Sequence, residues 1–233
     1  SPFRYKYISA KPPFWFSCQI FRLASSVTVQ ISRYAEAFPR FLQHKIKTIP
    51  NHILPAVERS QPAEDVAKKI ILSTGRLSPE KNHQVLIEAF SKIADQYPDW
   101  SLVIVGRGHE LKKMENCISG LPRTIAERIQ LAGASNDIPS YLRQAHIFCL
   151  PSRWEGFPNS LAEAMAHGLP SVGFAECDGV RDLIDPDITG LLAQGHDDAE
   201  DLSVQLSLLM KDPVLRKTMG DAAYQKSLQY QPK

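Results

Sequence analysis

From residue 69 onward, short apolar runs alternate with amphipathic segments of helical period. The runs 69–73, 101–105 and 145–150 have the length of buried strands, and segment 82–96 places its apolar side chains at helical spacing. Strands that alternate with helices predict βαβ units, in which helices cover both faces of a parallel sheet. The same reasoning predicts strands at 128–131 and 170–174, helices at 137–144 and 159–167, an amphipathic segment at 110–118 and two further helices between 197 and 230. We therefore predict an α/β fold.

The first part of the chain lacks this pattern. Residues 1–26 are aromatic and basic without a clear period, and β-prone runs at 26–31 and 45–49 flank a short helical segment. The polar run 60–68 is typical of a linker. We therefore divide the chain into a segment 1–59, a linker 60–68 and an α/β domain 69–233.

Charge and cysteine usage narrow the class of function. The formal net charge is +2 with acidic and basic residues interleaved, which argues against nucleic acid as a partner because no basic stripe is present. The four cysteines and the histidines lack metal-ligand spacing, and Asp185-Pro186-Asp187 is typical of a turn, so we expect no metal. No apolar run approaches the ~20 residues that cross a bilayer. Scattered cysteines and the lack of a signal-peptide pattern predict a cytoplasmic protein.

Two cationic or glycine-rich segments follow predicted strands, at the edge where parallel sheets bind ligands. After the first strand, Gly75 permits close approach, and Arg76 and Lys81 suit a diphosphate. On spacing alone, Arg76 and Lys81 are better explained as solvated loop charges than as a diphosphate site. After the second strand, Gly106-x-Gly108 begins like a dinucleotide fingerprint. Leu111 stands at its sixth position and no acidic residue is placed to bind a ribose, so we predict a glycine turn lining a shared cleft.

The strongest cluster is residues 151–170, which follow the strand 145–150. Glu155 lies in the loop and Glu163 lies about one turn inside the next helix. The first N–H groups of that helix can hold an anion between the two carboxylates. A sugar nucleotide needs this pattern, because it carries a polyol at each end and a diphosphate in the middle. An ordinary helix-start bias explains Glu163 poorly, since Ala162 and Met165 indicate a buried helix.

The spacing Glu155-x7-Glu163, followed by Ala-Met-Ala-His-Gly-Leu-Pro, resembles the EX7E signature of glycosyltransferase family 4, a retaining family with the GT-B fold. Other segments resemble the family's motifs in the same order: Gly75-Arg76-Leu77 with Lys81-Asn82, Val105-Gly106-x-Gly108, Ser152-x3-Gly156-Phe157 and Thr189-Gly190-Leu191-Leu192. Residues 45–51 resemble the segment before the family's interdomain linker, although His52 stands where the family has glycine.

The resemblance implies a fold and a role for each residue. The domain 69–233 would be the Rossmann-like, C-terminal half of a GT-B fold, and 1–59 a remnant of the N-terminal acceptor domain. Three residues would act in catalysis: Arg76 and Lys81 on the leaving diphosphate, and Glu155 on the donor sugar. The remaining donor-binding residues would be Gly75, Gly106, Asn136 at the base edge, the backbone of Gly156 and Phe157 beside the sugar, the backbone N–H groups of Asn159, Ser160 and Leu161 at the diphosphate, and Glu163 at the ribose.

The implied function is transfer of a sugar from a nucleotide-sugar donor to a saccharide or lipid-linked acceptor, with retention of configuration and without a cofactor or metal. Such a role fits polysaccharide biosynthesis. Because the resemblance places the acceptor site in a domain absent from this chain, we expect donor binding without turnover. A nucleotide-sugar epimerase and a non-catalytic binding module are the alternatives. The aromatic start of the chain has two explanations. It associates with a membrane surface, or, more simply, its aromatic side chains would be buried by a lost domain.

Overall fold

The computed structural model of the protein describes residues 18–60 and 68–232. The strands of this part are β1 (Val27–Val29), β2 (Ile46–Thr48), β3 (Lys69–Thr74), β4 (Trp100–Val105), β5 (Ile129–Gly133), β6 (Ile147–Leu150), β7 (Ser171–Phe174) and β8 (Gly190–Ala193). The helices are α1 (Ser32–Glu36), α2 (His83–Ile93), α3 (Leu111–Ser119), α4 (Arg123–Ala126), α5 (Ile138–Gln144), α6 (Asn159–Ala166), α7 (Asp178–Leu183), α8 (Ala199–Lys211) and α9 (Pro213–Ser227).

Strands β3 to β8 form one parallel sheet in the order β5-β4-β3-β6-β7-β8. The chain adds strands outward on one side from β3 to β5, then returns to the other side of β3 with β6. The direction of winding therefore reverses between β3 and β6. In open α/β sheets, ligands bind at the carboxyl ends of the strands beside such a reversal.

Each face of the sheet has its own core, because successive strand residues point to opposite sides. Ile71 packs with α2 and α8 on one face, whereas Leu72 packs with α5, α6 and α7 on the other. In β6, Ile147 and Phe148 divide in the same way. All four side chains are fully buried, which accounts for the continuous apolar runs in the sequence.

The segment before the main sheet packs against it. Strands β1 and β2 form a separate parallel pair, and Ile31 and Ile53 are buried in the core on the α6 side of the sheet. The Ile53 N–H donates to the carbonyl of Tyr230 at 2.9 Å, and the Ser60 N–H donates to the carbonyl of His167 at 2.7 Å. Residues 18–60 therefore share a core with the main sheet.

The structure confirms the predicted α/β fold and its parallel sheet. The predicted strands and helices of the main domain are present with small shifts at their ends, and residues 185–188 form a turn as predicted. The short helices α4 and α7 were not predicted, because four to six residues give too short a periodic pattern. Most of the predicted linker 60–68 and of the aromatic start 1–26 lies outside the described residues.

Candidate functional site

A cleft of about 670 Å³ opens at the carboxyl ends of β3, β4 and β5, beside the start of α6. It is lined by Thr74, Gly75, Arg76, Val105, Gly106, Arg107, Gly108, Ala134, Ser135, Ile138, Ser160 and Glu163. A cavity of similar volume, about 690 Å³, lies at the amino ends of β6 and β7, next to Ala145 and Leu169. We assign the ligand site to the first cleft, because it lies at the strand ends where α/β sheets bind ligands.

Two glycine turns, one at Gly75 and one at Gly106 and Gly108, line this cleft and pack against each other. A Cβ atom on Gly106 would lie 1.8 Å from the carbonyl oxygen of Gly75, and one on Gly108 would lie 2.1 Å from that of Leu77. The Leu77 N–H donates to the carbonyl of Arg107 at 3.0 Å. The two backbones are therefore in direct contact, and only glycine fits at positions 106 and 108.

Arginine side chains supply positive charge to the cleft. Arg76 and Arg107 are exposed and line its wall. In the described part of the chain, neither guanidinium has a hydrogen bond or an ion pair. Both are therefore available to an anionic ligand, and a guanidinium suits phosphate oxygens through its fixed fork of donors.

Lys81 and Glu155 form an ion pair that joins two loops, the Lys81 loop (residues 75–82) and the Glu155 loop (residues 151–158). The Lys81 Nζ donates to Glu155 Oε1 at 2.5 Å, and the Ser152 hydroxyl donates to the same oxygen at 2.7 Å. Glu155 is only 8% exposed. Among the described residues, no group donates to its second oxygen, Oε2. Oε1 is thus used to hold the loops, and Oε2 remains as an acceptor.

The backbone of Glu155 is fixed from two other sides. The Tyr34 hydroxyl of α1 donates to its carbonyl oxygen. Gly179 of α7 packs so closely that a Cβ there would lie 2.8 Å from both the Cβ and the carbonyl oxygen of Glu155. The Glu155 loop is therefore held in place by elements distant in the sequence.

Helix α6 begins at the edge of the cleft with unsatisfied backbone donors. Its N-cap residue, Pro158, makes no side-chain cap bond. The Leu161 N–H donates to the Pro158 carbonyl at 3.0 Å, so Leu161 is not free to bind an anion as the resemblance implied. Within the described residues, the N–H groups of Asn159 and Ser160 have no acceptor. These two groups and the helix dipole favour an anion at this position.

Glu163 lines the cleft one turn further along α6. Its neighbours Ala162 and Ala164 are buried, as the sequence predicted, but Glu163 is half-buried and faces the cleft. No donor reaches its carboxylate from the described residues, so the partner expected for a buried carboxylate is not supplied by the protein. Burial raises the pKa of the Glu163 carboxyl.

Five of the twelve residues implied by the resemblance line the cleft, and seven do not: Lys81, Asn136, Glu155, Gly156, Phe157, Asn159 and Leu161. The Phe157 ring is buried and packs edge-on against Tyr230, with ring centroids 5.2 Å apart, so only its backbone can reach a ligand. Asn136 is exposed and does not line the cleft, which its neighbours Ser135 and Ile138 do. The N-cap of α5 is Asp137, whose side chain accepts from the Ser140 N–H.

The structure also contributes site residues that the pattern of the sequence did not single out. Tyr34 and Gly179 hold the Glu155 backbone and Arg107 lines the cleft. His83 lies under the Lys81 loop and is only 2% exposed, and burial, with a smaller contribution from the Lys81 charge, lowers its pKa to about 4. Of these, only Arg107 carried a sequence signal, as the central residue of the glycine turn. Tyr34 and Gly179 depend on contacts with a loop that is far from them in the chain.

Residues 56–226 match the profile of the family described as "Glycosyl transferases group 1". The chain belongs to this family. A relative, an uncharacterized glycosyltransferase of Haemophilus influenzae, is 33% identical over 206 residues, which are 85% of this chain and 56% of the relative. A second relative, of Campylobacter jejuni, is 33% identical over 69% of this chain and 43% of its own length. It is named N-acetylgalactosamine-N,N'-diacetylbacillosaminyl-diphospho-undecaprenol 4-alpha-N-acetylgalactosaminyltransferase. The chain thus spans about half the length of these relatives.

Solved structures of GT-B glycosyltransferases share the fold of this group 1 chain. The pneumococcal O-GlcNAc transferase GtfA, solved with UDP and GlcNAc, matches with a TM-score of 0.78 and 23% identity over 93% of this chain and 44% of its own. Anabaena HepE, solved with UDP and glucose, matches with a TM-score of 0.76 and 21% identity over 90% of this chain and 60% of its own. In the part of the chain that the structure describes, no helix has the length and apolarity to cross a membrane.

Proposed function

We propose that this chain binds a nucleoside diphosphate sugar and forms the donor side of a retaining glycosyltransferase with the EX7E arrangement of family 4. One observation carries the proposal: unpaired arginine side chains and an unpaired carboxylate line one cleft, and a helix start with two unsatisfied N–H groups lies at its edge. Cations and N–H groups suit the diphosphate, and the carboxylate of Glu163 suits the hydroxyls of a ribose.

In the proposed arrangement, the diphosphate lies between Arg76 and the N–H groups of Asn159 and Ser160. The Lys81 ammonium has three N–H donors, so it can keep its bond to Glu155 and also donate to a phosphate oxygen. Glu155 accepts from a hydroxyl of the donor sugar through Oε2. Each carboxylate therefore binds one polyol end of the donor rather than acting as a general acid or base.

The reaction we propose breaks the bond between the sugar's anomeric carbon and the leaving phosphate oxygen. Negative charge grows on the diphosphate as the bond breaks, and Arg76, Lys81 and the α6 N–H groups stabilise it. Loss of one such preorganised contact costs about 2–4 kcal/mol in the transition state. The acceptor hydroxyl attacks the face that the phosphate leaves, and a leaving phosphate oxygen takes its proton, which gives retention. We propose that this cationic set supplies the needed charge without a metal.

The names of the relatives support a saccharide acceptor. The C. jejuni relative's name describes an acceptor carried on diphospho-undecaprenol. We propose a saccharide acceptor, free or lipid-linked, for the whole protein and a role in polysaccharide or glycolipid assembly. UDP is the first nucleotide to test, because the fold is shared with transferases solved with UDP.

Calorimetric titration of the chain with UDP and with inorganic pyrophosphate tests the proposed site. Arg76→Ala should weaken both ligands about 10- to 100-fold, since a hydrogen bond to a charged group contributes about 1.5–3 kcal/mol. Arg123→Ala is the matched control, because it removes the same charge at a 90% exposed side chain of α4, where Arg123 pairs with Glu127 just after the helix. Equal affinities in wild type, Arg76→Ala and Arg123→Ala, or no binding of either ligand by wild type, would contradict the proposal.

A further inference from the structure

Asp197 lies in the connection between β8 and α8 and does not line the cleft. Its Oδ1 accepts two hydrogen bonds at 2.8 Å, one from Arg153 Nε and one from Asn82 Nδ2. Arg153 belongs to the Glu155 loop, whereas Asn82 ends the Lys81 loop. One carboxylate oxygen from a third segment therefore joins the two loops that carry the paired site residues.

Backbone contacts reinforce this junction. The Arg153 N–H donates to the carbonyl of Glu80 at 2.9 Å, and Arg153 Nη1 donates to the carbonyl of Pro79 at 2.9 Å. Each of these contacts lies within two residues of Lys81 or Glu155 along the chain. Movement at the junction would therefore change the separation of Lys81 and Glu155.

Asn82 holds an uncommon backbone conformation at this junction. Its φ of 54° and ψ of 35° lie in the left-handed region, which costs a non-glycine residue free energy. The residue is 6% exposed, and its side-chain amide also donates to the carbonyl of His196 at 3.1 Å. The side chain of Asn82 thus ties the turn after Lys81 to the segment that carries Asp197.

We propose that Asp197 is a positioning residue, which holds the Lys81 and Glu155 loops at the separation that a donor needs. The inference rests on the proposed function, in which the diphosphate meets Lys81 while the sugar meets Glu155. A ligand that contacts two loops at once binds more tightly when the loops are already fixed, because it does not have to order them. Asp197 would thus act on donor affinity without touching the donor.

The neighbouring Asp198 supplies a matched control. Asp198 caps α8, since its side chain accepts from the N–H groups of Glu200 at 2.9 Å and Asp201 at 3.1 Å. Asp198→Ala removes the same charge one residue away and should lower thermal stability through loss of the cap. It should leave UDP affinity within twofold of wild type. Asp197→Ala should weaken UDP binding about tenfold, because its contacts are coupled to the two loops that meet the donor. Its loss of thermal stability should be smaller than that of Asp198→Ala.

Asn82→Gly tests the other end of the junction. Glycine adopts the left-handed conformation freely, so the backbone of the turn is kept while the amide's bonds to Asp197 and to the His196 carbonyl are lost. UDP binding should weaken as in Asp197→Ala. The double variant should lose less than the sum of the two single losses, because both remove the bond between Asn82 and Asp197. Full additivity would overturn the inference.

Hydrogen exchange in the ligand-free protein tests the junction independently of any nucleotide. The Arg153 N–H reports directly on contact between the loops through its bond to Glu80. Its exchange should be about tenfold faster in Asp197→Ala, because the two loops open locally more often without Asp197. It should be unchanged in Asp198→Ala. Unchanged exchange in Asp197→Ala overturns the positioning role, and so does an unchanged UDP affinity of Asp197→Ala when wild type binds UDP. If wild type binds no UDP, the proposed function fails, and faster exchange in Asp197→Ala would still support the junction.

Discussion

Replacing Glu163 with glutamine should stabilise the fold and weaken UDP binding. The Glu163 carboxylate is half-buried, and no donor reaches it from the described residues. Burial raises its pKa, so the folded protein disfavours the charged form. Glutamine has nearly the same shape and removes the charge. The fold therefore gains stability while the site loses the charged acceptor proposed for the ribose.

The size of the effect follows from the cost of an unpaired polar group. A fully buried unpaired group costs about 1–3 kcal/mol. Because Glu163 is partly exposed, the cost of its unpaired carboxylate is about 1 kcal/mol. For a chain of this size, that difference raises Tm by about 2–4 °C. Loss of one charge-assisted bond to a ribose hydroxyl should weaken UDP binding by about tenfold or more.

The pH dependence has a definite sign. A carboxyl whose folded pKa is raised contributes its full stability below the ordinary carboxyl pKa, and loses it as pH rises through the raised value. Wild type and Glu163→Gln should therefore unfold at similar temperatures in acid below the ordinary pKa. The variant's advantage should grow as pH rises through the raised pKa and remain at neutral pH.

Glu155→Gln is the contrasting variant, since the environment of Glu155 is the opposite. Its carboxylate accepts from Lys81 and Ser152, so loss of the charge leaves Lys81 without its ion-pair partner and should cost about 1–3 kcal/mol. Thermal unfolding followed by circular dichroism at acidic and neutral pH measures both variants, and calorimetry measures UDP binding. Three results would refute the reasoning. They are a Tm of Glu163→Gln below that of wild type at neutral pH, a gain in Tm over wild type that is as large in acid as at neutral pH, and a Tm of Glu155→Gln above that of wild type.

Three further outcomes are expected. Gly106→Ala should destabilise the fold by about 1–3 kcal/mol in urea denaturation, because its Cβ would overlap the Gly75 carbonyl; Gly120→Ala, with nothing closer than 3.5 Å, should change little. EDTA should leave UDP affinity unchanged if the cationic set replaces a metal, and loss of binding that added magnesium restores would contradict this. Because the pKa of His83 is lowered to about 4, its ring should stay neutral at pH 6 by NMR, and the fold should lose stability as pH falls from the ordinary histidine pKa toward 4. A ring half-protonated near pH 6.5 would show that the burial argument is wrong.

The sequence by itself determined the α/β class and most strand and helix positions. Residues such as Ile71 and Leu72 are both apolar because both faces of the strand are covered, and that pattern is local. The sequence also placed Arg76 in the loop after one strand and Glu163 near the start of the helix after another, at the edge where a parallel sheet brings such segments together. The position of these residues in one cleft follows from the parallel sheet and its strand order.

Only the tertiary structure decided how the site is held. It paired Lys81 with Glu155, packed the Phe157 ring against Tyr230 and brought Asp197 to both loops. These arrangements depend on contacts between segments tens of residues apart, which leave no period or spacing in the sequence. Glu155 and Glu163 show the difference: seven residues separate them in one motif, yet a partner distant in the chain neutralises the first, and no described residue reaches the second.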